Sequence, residues 1–379
     1  MGFQVMDLPV SDPNTDPLRV IAVPAPAFSE TDAARIAAGY YGLKCSAREL
    51  VSERDRNFHL RTDDGREFVL KITNSAEDPM VTDFQIQALK WIEARRADVA
   101  TPRVVPTLDG RSSFELASAT GTHVTRLVTF LPGLLLVNQP LPMELCRDFG
   151  GYAAKLGRAL EGFEHPGADQ SLIWNMNEAW RLRDITHHIQ DDFVRRQVAD
   201  SLEHFEAHVH PRFPELKTQV VHNDMNPENV LIDRPGGTRI AGVIDFGDMV
   251  RCPLVVDVAV AASYMRAFEG NPLARIAEFV GAYHAVTPLE LREIDLVFDL
   301  IRVRLATTVS VLHWRIDARG ADDPYLKNSV SAESTAGKYL GILSAVPREH
   351  ARQTLRQACA STDVALQRQA QWRTDQPLL

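Results

Sequence analysis

Cysteine is sparse: Cys45, Cys146, Cys252 and Cys359 are the four in 379 residues, and no two form a C-x-x-C pair. That spacing excludes a thiolate zinc site, and four scattered thiols do not staple so long a chain. A reducing, cytoplasmic setting is expected. Basic charge is also short, with 41 Lys and Arg against 50 Asp and Glu, a formal net charge of -9. This leaves no electrostatic footprint for nucleic acid, and mild acidity at most favours cationic partners. No apolar run approaches the ~18 residues that a membrane span needs, and Met1 to Val10 put no basic residue before an apolar stretch. A soluble, unprocessed protein without nucleic-acid or membrane partners is expected. What is present, 45% hydrophobic and 24% charged residues, suffices for a buried core. The length exceeds the usual single domain, so two lobes are anticipated.

Residues 1–27 hold five prolines and little periodicity, the pattern of an extended arm. Ser29 with Asp32 three positions on resembles a capping box, opening a helix with Ala33, Ile36 and Ala37 on one stripe and Gly42 as its stop. The period then changes to two. Residues 57–62 and 66–72 flank Asp63-Asp64-Gly65, a hairpin signal. In the second strand Phe68, Leu70 and Ile72 share one face, so Val69 and Lys71 share the other. A helix over 81–96 and strands near 103–106, 114–117 and 123–130 complete a β-rich section, ended by Leu131-Pro132-Gly133. Helical patterns dominate afterwards, over 143–163, 175–189, 191–208 and from Leu254 onward. One β-rich island, 219–245, interrupts them, with a turn at Arg234-Pro235-Gly236-Gly237. A small β-rich lobe joined to a larger helical lobe places a cleft between them.

The island carries the strongest chemical signal. His222-Asn223-Asp224-Met225-Asn226-Pro227-Glu228-Asn229 has the H-x-D-x-x-x-x-N spacing of a phosphoryl-transfer loop, and Ile244-Asp245-Phe246-Gly247 follows it. Such transfer needs a carboxylate to accept the proton of the attacking hydroxyl, and a second carboxylate with an amide oxygen to hold a metal. Asp224 suits the first role; Asp245 and Asn229 are the oxygen ligands Mg²⁺ prefers. Either fragment alone reads equally well as a polar turn or a strand end; in this order, flanked by the apolar strands 230–232 and 240–244, they point to chemistry. Lys71 sits where a lysine would grip the α- and β-phosphates, and Val69 would face an adenine.

On these motifs the chain resembles the aminoglycoside phosphotransferase and choline kinase superfamily, over about residues 25–345. The resemblance implies an α+β, bilobal protein-kinase-like fold: a nucleotide-binding lobe over 28–131, and a helical lobe over 132–379 with the catalytic loop and acceptor site. The runs Ser52 to Phe58, His222 to Asn226 and Ile244 to Met249 are most similar to its hydroxylysine kinase branch. It implies Asp224 as catalytic base, Asn229 and Asp245 as metal ligands and Lys71 as phosphate-binding lysine. The expected reaction uses Mg²⁺ as cofactor and consumes ATP, with GTP possible. It phosphorylates a hydroxyl of a small, amine-bearing molecule. Homoserine, choline and aminoglycosides stay open as acceptors, as does a nucleotide-binding pseudokinase, though the intact set argues against the last.

The pattern departs from the family at two places. No G-x-G-x-x-G precedes Lys71; the turn Ser52 to Asn57 takes its position, with Ser52, Arg56 and Asn57 as candidate phosphate contacts. The glutamate expected to pair with Lys71 is replaced by Asp83, with Gln85 the next candidate. The connector Thr129-Phe130-Leu131 should offer backbone groups to a purine. Asp257 is expected to brace the catalytic loop, and Asp248 either attracts an ammonium group or caps a turn. His204, Glu206 and His208 lack H-E-x-x-H order and read as a solvated helix face. Trp314 reads as helical core.

Overall fold

The computed structural model describes residues 23, 25–52, 54–119, 121–137, 139–319 and 335–374. Most of the anticipated N-terminal arm lies outside them. Helix α1 (Glu30–Tyr41) opens with the anticipated capping box, Ser29 and Asp32 each accepting the other's backbone N–H, and ends on Gly42 at φ 65. A left-handed terminus of this kind is adopted without strain by glycine. The chain then forms β1 (Cys45–Leu50), β2 (Arg56–Thr62) and β3 (Glu67–Ile72). Strand β1 is invisible to hydrophobic periodicity because it is an edge strand of largely polar residues, half-buried at best.

Helix α2 (Pro79–Ala94) starts two residues earlier than its apolar pattern suggests. Asp78 caps it by accepting the Met80 N–H, and Pro79 at the first helical position costs no hydrogen bond. Strands β4 (Val104–Val105), β5 (Phe114–Ser118) and β6 (Gly121–Thr129) complete an antiparallel sheet in the order β1-β2-β3-β6-β4, with β5 also paired to β6. Phe58, Leu60, Leu70, Ile72 and Leu127 turn one sheet face onto α1, where Ala33, Ala37 and Phe114 join the same core. Burying each such large side chain contributes about 1.5–3 kcal/mol. Val69 and Val128, on the opposite face, pack against the core of the helical part.

That part contains α3 (Met143–Leu160), α4 (Asp192–His204), α5 (Leu254–Ala262), α6 (Ala274–Val286), α7 (Leu291–Arg319), α8 (Thr335–Ser344) and α9 (Arg348–Thr374). The helix anticipated over 175–189 is broken into short 3₁₀ segments, with Glu178 outside helical geometry. The one over 191–208 ends at His204 and continues as a π-helical turn. Helices α3 and α6 touch at Gly150, where any added Cβ would collide with the Phe279 carbonyl oxygen.

Two small ladders position the site. Strands β8 (Thr218–Val221) and β11 (Val250–Pro253) pair antiparallel, as do β9 (Val230–Ile232) and β10 (Ile240–Val243). Strand β7 (Leu134–Leu135), just past the connector, pairs with β9. Apolar side chains of β8, β9 and β10 are buried, which fixes both ends of the loop 222–229 and the start of the segment 244–249. Among the described residues no helix is long and apolar enough to cross a membrane.

Candidate active site

The loop between β8 and β9 is held from several sides. His222 Nδ1 accepts the Asp224 N–H (3.3 Å) and Nε2 donates to the Ile244 carbonyl (3.2 Å), so the ring ties the loop to the next segment. This arrangement needs neutral imidazole, and burial pushes His222 down to about 4. Asn223 sits at φ 63, a left-handed conformation that asparagine tolerates better than most residues. Its N–H donates to Asp257 Oδ1 (2.7 Å) from the first turn of α5, and its side chain donates to the Trp174 and Asp248 carbonyls. Burial raises Asp257 to about 7.

Asp224 is thereby presented with donors on both oxygens. Oδ2 accepts from Asn229 Nδ2 (2.7 Å) and Asn226 Nδ2 (3.0 Å), and Oδ1 from Arg304 Nη2 (2.9 Å). Burial and the neighbouring Asp248 raise its pKa, while Arg304 and the Asn226 amide pull it back. Asn229 spends its NH₂ on Asp224, so its amide oxygen is the group that could meet a cation. Asp245, also left-handed at φ 59, follows β10 through the Ile244 N–H, which donates to the Asn229 carbonyl (2.9 Å). These hard oxygens fit a magnesium-type ion completed by phosphate and water, and they could hold one. Among the described residues no cluster of three or more His, Cys, Asp or Glu offers a self-sufficient metal site.

Lys71 Nζ reaches across the cleft to Asp245 Oδ1 (3.2 Å). The ammonium, then Arg54, holds the Asp245 carboxyl well below the usual range despite burial. The anticipated pairing with Asp83 is corrected by the structure. Asp83 projects from the exposed side of α2, where it binds His165 Nε2 (3.1 Å) and Gln87 Nε2 (3.0 Å). Gln85, two residues on and therefore on a different helix face, is buried and accepts from Arg126 Nη2. Arg126 lies directly opposite Lys71 across the β3–β6 ladder, and its Nη1 donates to Thr73 Oγ1 (3.0 Å).

The turn before β2 also differs from expectation. Arg56 points away, donating to the Pro26 carbonyl (2.8 Å) and pairing with Glu49. Asn57 stays on the Lys71 face, directly opposite it in the β2–β3 ladder. Ser52 is half-buried in the turn. The residue that enters the cleft is Arg54: Nη2 meets Asp248 Oδ1 (3.0 Å) and Nε lies 3.7 Å from Glu77, which burial pushes upward in pKa. Asp248 is thus engaged by a guanidinium. In the connector, Thr129 N–H donates to the Arg103 carbonyl (2.9 Å) and Phe130 N–H to that of Glu67 (3.1 Å). Those two groups are spent inside the protein.

The profile of the phosphotransferase enzyme family, APH, matches residues 46–293, which run from β1 to the start of α7 and include Lys71, Asp224, Asn229 and Asp245 but not Arg304. The chain belongs to this phosphotransferase family. It is similar to hydroxylysine kinase of Danio rerio, 28% identical over 314 residues that cover 79% of this chain and 88% of that protein. Hydroxylysine kinase of Xenopus laevis is 25% identical over 346 residues, 86% and 92% of the two chains. In fold it is similar to an amicoumacin kinase solved with AMP-PNP and Ca²⁺, at TM-score 0.63 and 14% identity over 82% of this chain and 94% of that one. A microcompartment-associated aminopropanol kinase superposes at 0.56 with 16% identity, covering 87% and 99%. The phosphotransferase is therefore a small-molecule kinase with a protein-kinase-like fold, acting on a hydroxyl acceptor.

Several residues of this phosphotransferase's cleft escaped sequence reasoning. Arg304 comes from α7, eighty positions beyond Asp224, and stacks over Trp174 at 4.5 Å from the ring centroid. Arg315, a buried residue three turns further along α7, lies 5.6 Å from the same ring. The available signal was arginine inside the apolar run Leu300-Ile301-Arg302-Val303-Arg304-Leu305-Ala306, since a charge buried in a helix must find partners. Trp314 packs partly buried on the core. His204 approaches Asp299 and Glu206 pairs with Arg183.

Proposed function

We propose that this kinase phosphorylates the hydroxyl of a small amino alcohol of the hydroxylysine type, using Mg²⁺ and a nucleoside triphosphate. The observation that carries the reading is the convergence of Asp224, Asn229, Asp245 and Lys71 within one continuous hydrogen-bonded and ion-paired set. Its curated relatives are named hydroxylysine kinases, which supports the acceptor class.

In this reading Asp224 accepts the proton of the acceptor hydroxyl. The new O–P bond forms as the bond from the γ-phosphorus to the bridging oxygen breaks, and the nucleoside diphosphate leaves. Asn226 and Asn229 fix the carboxylate so that its orientation need not be found during the reaction. A raised pKa brings Asp224 nearer to neutral pH, where a general base works best. Asn229 and Asp245 would hold the metal, which neutralises charge on the phosphates when bound. Lys71 would exchange its Asp245 contact for the α- and β-phosphates, with Asn57 and Ser52 beside it in the overlying turn. Val69 would face the base, which Leu131 reads through its N–H, the Thr129 and Phe130 groups being spent.

Nucleoside diphosphate release is measured with 5-hydroxylysine, homoserine, choline and kanamycin, with ATP and GTP in parallel. Hydroxylysine or another amino alcohol is expected to give the highest kcat/KM. Turnover of choline or kanamycin with none on hydroxylysine would refute the acceptor class.

A further inference from the structure

A glycine-rich loop grips phosphates with backbone N–H groups, and no such loop precedes Lys71. The turn in its place is organised differently. Its backbone is tied towards the end of β3: the Arg54 carbonyl accepts from Asn74 Nδ2 (3.1 Å), and Asp55 Oδ1 accepts the Asn74 N–H (3.0 Å). What the turn sends into the cleft is the Arg54 side chain. Its Nε end lies by Glu77, whose side chain is 6% accessible, and its Nη2 end meets Asp248 Oδ1 at 3.0 Å. That second end stands on an open wall. Asp245, deep in the cleft, keeps 48% of its side-chain surface accessible, and Arg54 and Asp248 beside it keep 12% and 14%. Gly247 permits the approach, since a Cβ there would lie 3.0 Å from Arg54 Nη2 and 3.2 Å from Asp245 Oδ1. The guanidinium and the metal-binding carboxylate thus share one small space above Gly247.

In-line transfer puts the γ-phosphorus between a hydroxyl on Asp224 and the oxygen that bridges to the β-phosphate. Lys71 comes to Asp245 from β3, on the side of that oxygen. Arg54 comes from the other side, with Asp248, which is a charged neighbour of Asp224 and whose carbonyl accepts from Asn223 Nδ2 (3.2 Å). We infer that Arg54 holds the γ-phosphoryl group, exchanging its Asp248 contact for phosphoryl oxygens when the nucleotide enters. This rests on the nucleotide site proposed above and adds the residue that grips the transferred group. A guanidinium matches phosphoryl oxygens in geometry, and they carry more charge than one carboxylate, so the exchange is favoured. Arg54 is the partner that moves. The backbone around Asp248 is pinned from below by Asn223 and by Gln170 Nε2, which donates to the Met249 carbonyl (2.6 Å). Before the nucleotide arrives, Asp248 keeps the guanidinium paired and within reach of its place of work.

The test is equilibrium binding of AMP-PNP and of ADP, each with Mg²⁺, measured by calorimetry, with urea unfolding to show that each variant folds. Arg54→Gln should bind AMP-PNP about 10- to 100-fold more weakly, the scale of one charged hydrogen-bonding contact, with ADP affinity little changed. Arg54→Lys should recover part of the loss, and it carries the same comparison if the glutamine variant does not fold. Asp248→Asn should act with the opposite sign. It removes the resting partner of Arg54, so AMP-PNP should bind about 2- to 5-fold more tightly, and the gain should vanish when Arg54→Gln is also present. Parental AMP-PNP affinity in Arg54→Gln overturns the proposal, as does an equal loss for AMP-PNP and ADP. So does weaker binding in Asp248→Asn, or a gain that persists without Arg54, which would report charge repulsion alone. Lys71→Ala separates this inference from the site it rests on. Weaker binding in Lys71→Ala with none in Arg54→Gln keeps the nucleotide site and removes Arg54, whereas selective loss in Arg54→Gln with parental binding in Lys71→Ala does the reverse.

Discussion

The correction at Asp83 yields a quantitative prediction, because two double-mutant cycles should give opposite answers. Arg126 is buried on the same sheet face as Lys71, its partner across the β3–β6 ladder, with Gln85 Oε1 and Thr73 Oγ1 as its side-chain acceptors. Gln85→Ala removes one acceptor from a guanidinium that has no water to turn to. Hydrogen bonds to charged groups are worth about 1.5–3 kcal/mol, so Gln85→Ala and Arg126→Met should show a coupling energy of that order. Asp83 is about half exposed, and its partners are His165 and Gln87. Asp83→Ala should therefore cost at most about 1 kcal/mol, as for other exposed pairs. Lys71→Ala and Asp83→Ala should be additive within about 0.5 kcal/mol, the usual result for groups that share no partner.

Stability is read from urea unfolding and nucleotide affinity from calorimetry on the same samples. Gln85→Ala should weaken nucleotide binding as well as stability, since Arg126 shares its field with Asp245 and sits beside Lys71. Asp83→Ala should leave nucleotide binding close to that of the parent. A coupling above about 1 kcal/mol between Lys71 and Asp83 would refute this reasoning. It would mean that α2 turns in solution to bring Asp83 into the cleft, with Gln85 displaced from Arg126.

Asp224→Asn should lower turnover by roughly 10²–10⁴, the scale of a positioned base; near-parental turnover would remove Asp224 from that role. Calorimetry on Asp245→Ala should show loss of Mg²⁺-nucleotide binding, because a hard cation loses its anionic oxygen, and parental affinity would place the metal elsewhere. His222 contributes a pH dependence. Its folded pKa of about 4 lies below the ordinary 6.5, so the unfolded chain binds more protons between these values and stability rises with pH across the window. Its full contribution is about 3 kcal/mol at 1.36 kcal/mol per unit. Asp257, raised to about 7, acts in the opposite direction, losing stability as pH rises from 3.8. The parent slope therefore mixes these two with the other shifted carboxylates, Asp224, Glu77 and Asp245 among them. The readout is the difference between parent and His222→Gln in urea unfolding at several pH values from 4 to 7, and equal slopes would count against a neutral buried imidazole.

The parts of the site legible in the sequence are those held by local spacing. Asp224 and Asn229 are five residues apart on one loop, and Asp245 follows the hairpin that their strand begins. Alternation along β3 places Lys71 on the face opposite Leu70 and Ile72, which the burial of that strand reproduces. The capping box at Ser29 is equally local. Helix α2 shows where such reasoning ends. Spacing places Asp83 and Gln85 on different faces, but it cannot say which face the sheet will cover, and the identity of the acid made Asp83 the natural choice. Packing decided otherwise, with Thr82, Gln85 and Ile86 turned inward.

The remaining cleft residues are separated too far in sequence for spacing to connect them: Arg54 meets Asp248 across 194 positions, and Arg304 meets Asp224 across 80. Yet they share a mark that one sequence does display. Arg126 lies between Val124 and Val128 on a strand, and Arg304 lies between Val303 and Leu305 in α7. Neither could remain in such a run unless its charge is met by acceptors, since the desolvation penalty for an isolated ion is several kcal/mol. Arg126 finds its acceptors within the protein, in Gln85 and Thr73. Arg304 is met by Asp224, by the Tyr264 side chain and by the Trp174 ring. An arginine whose surroundings satisfy it is accounted for by the fold alone. Both are met by partners that only the folded chain assembles, which is why spacing alone did not name them.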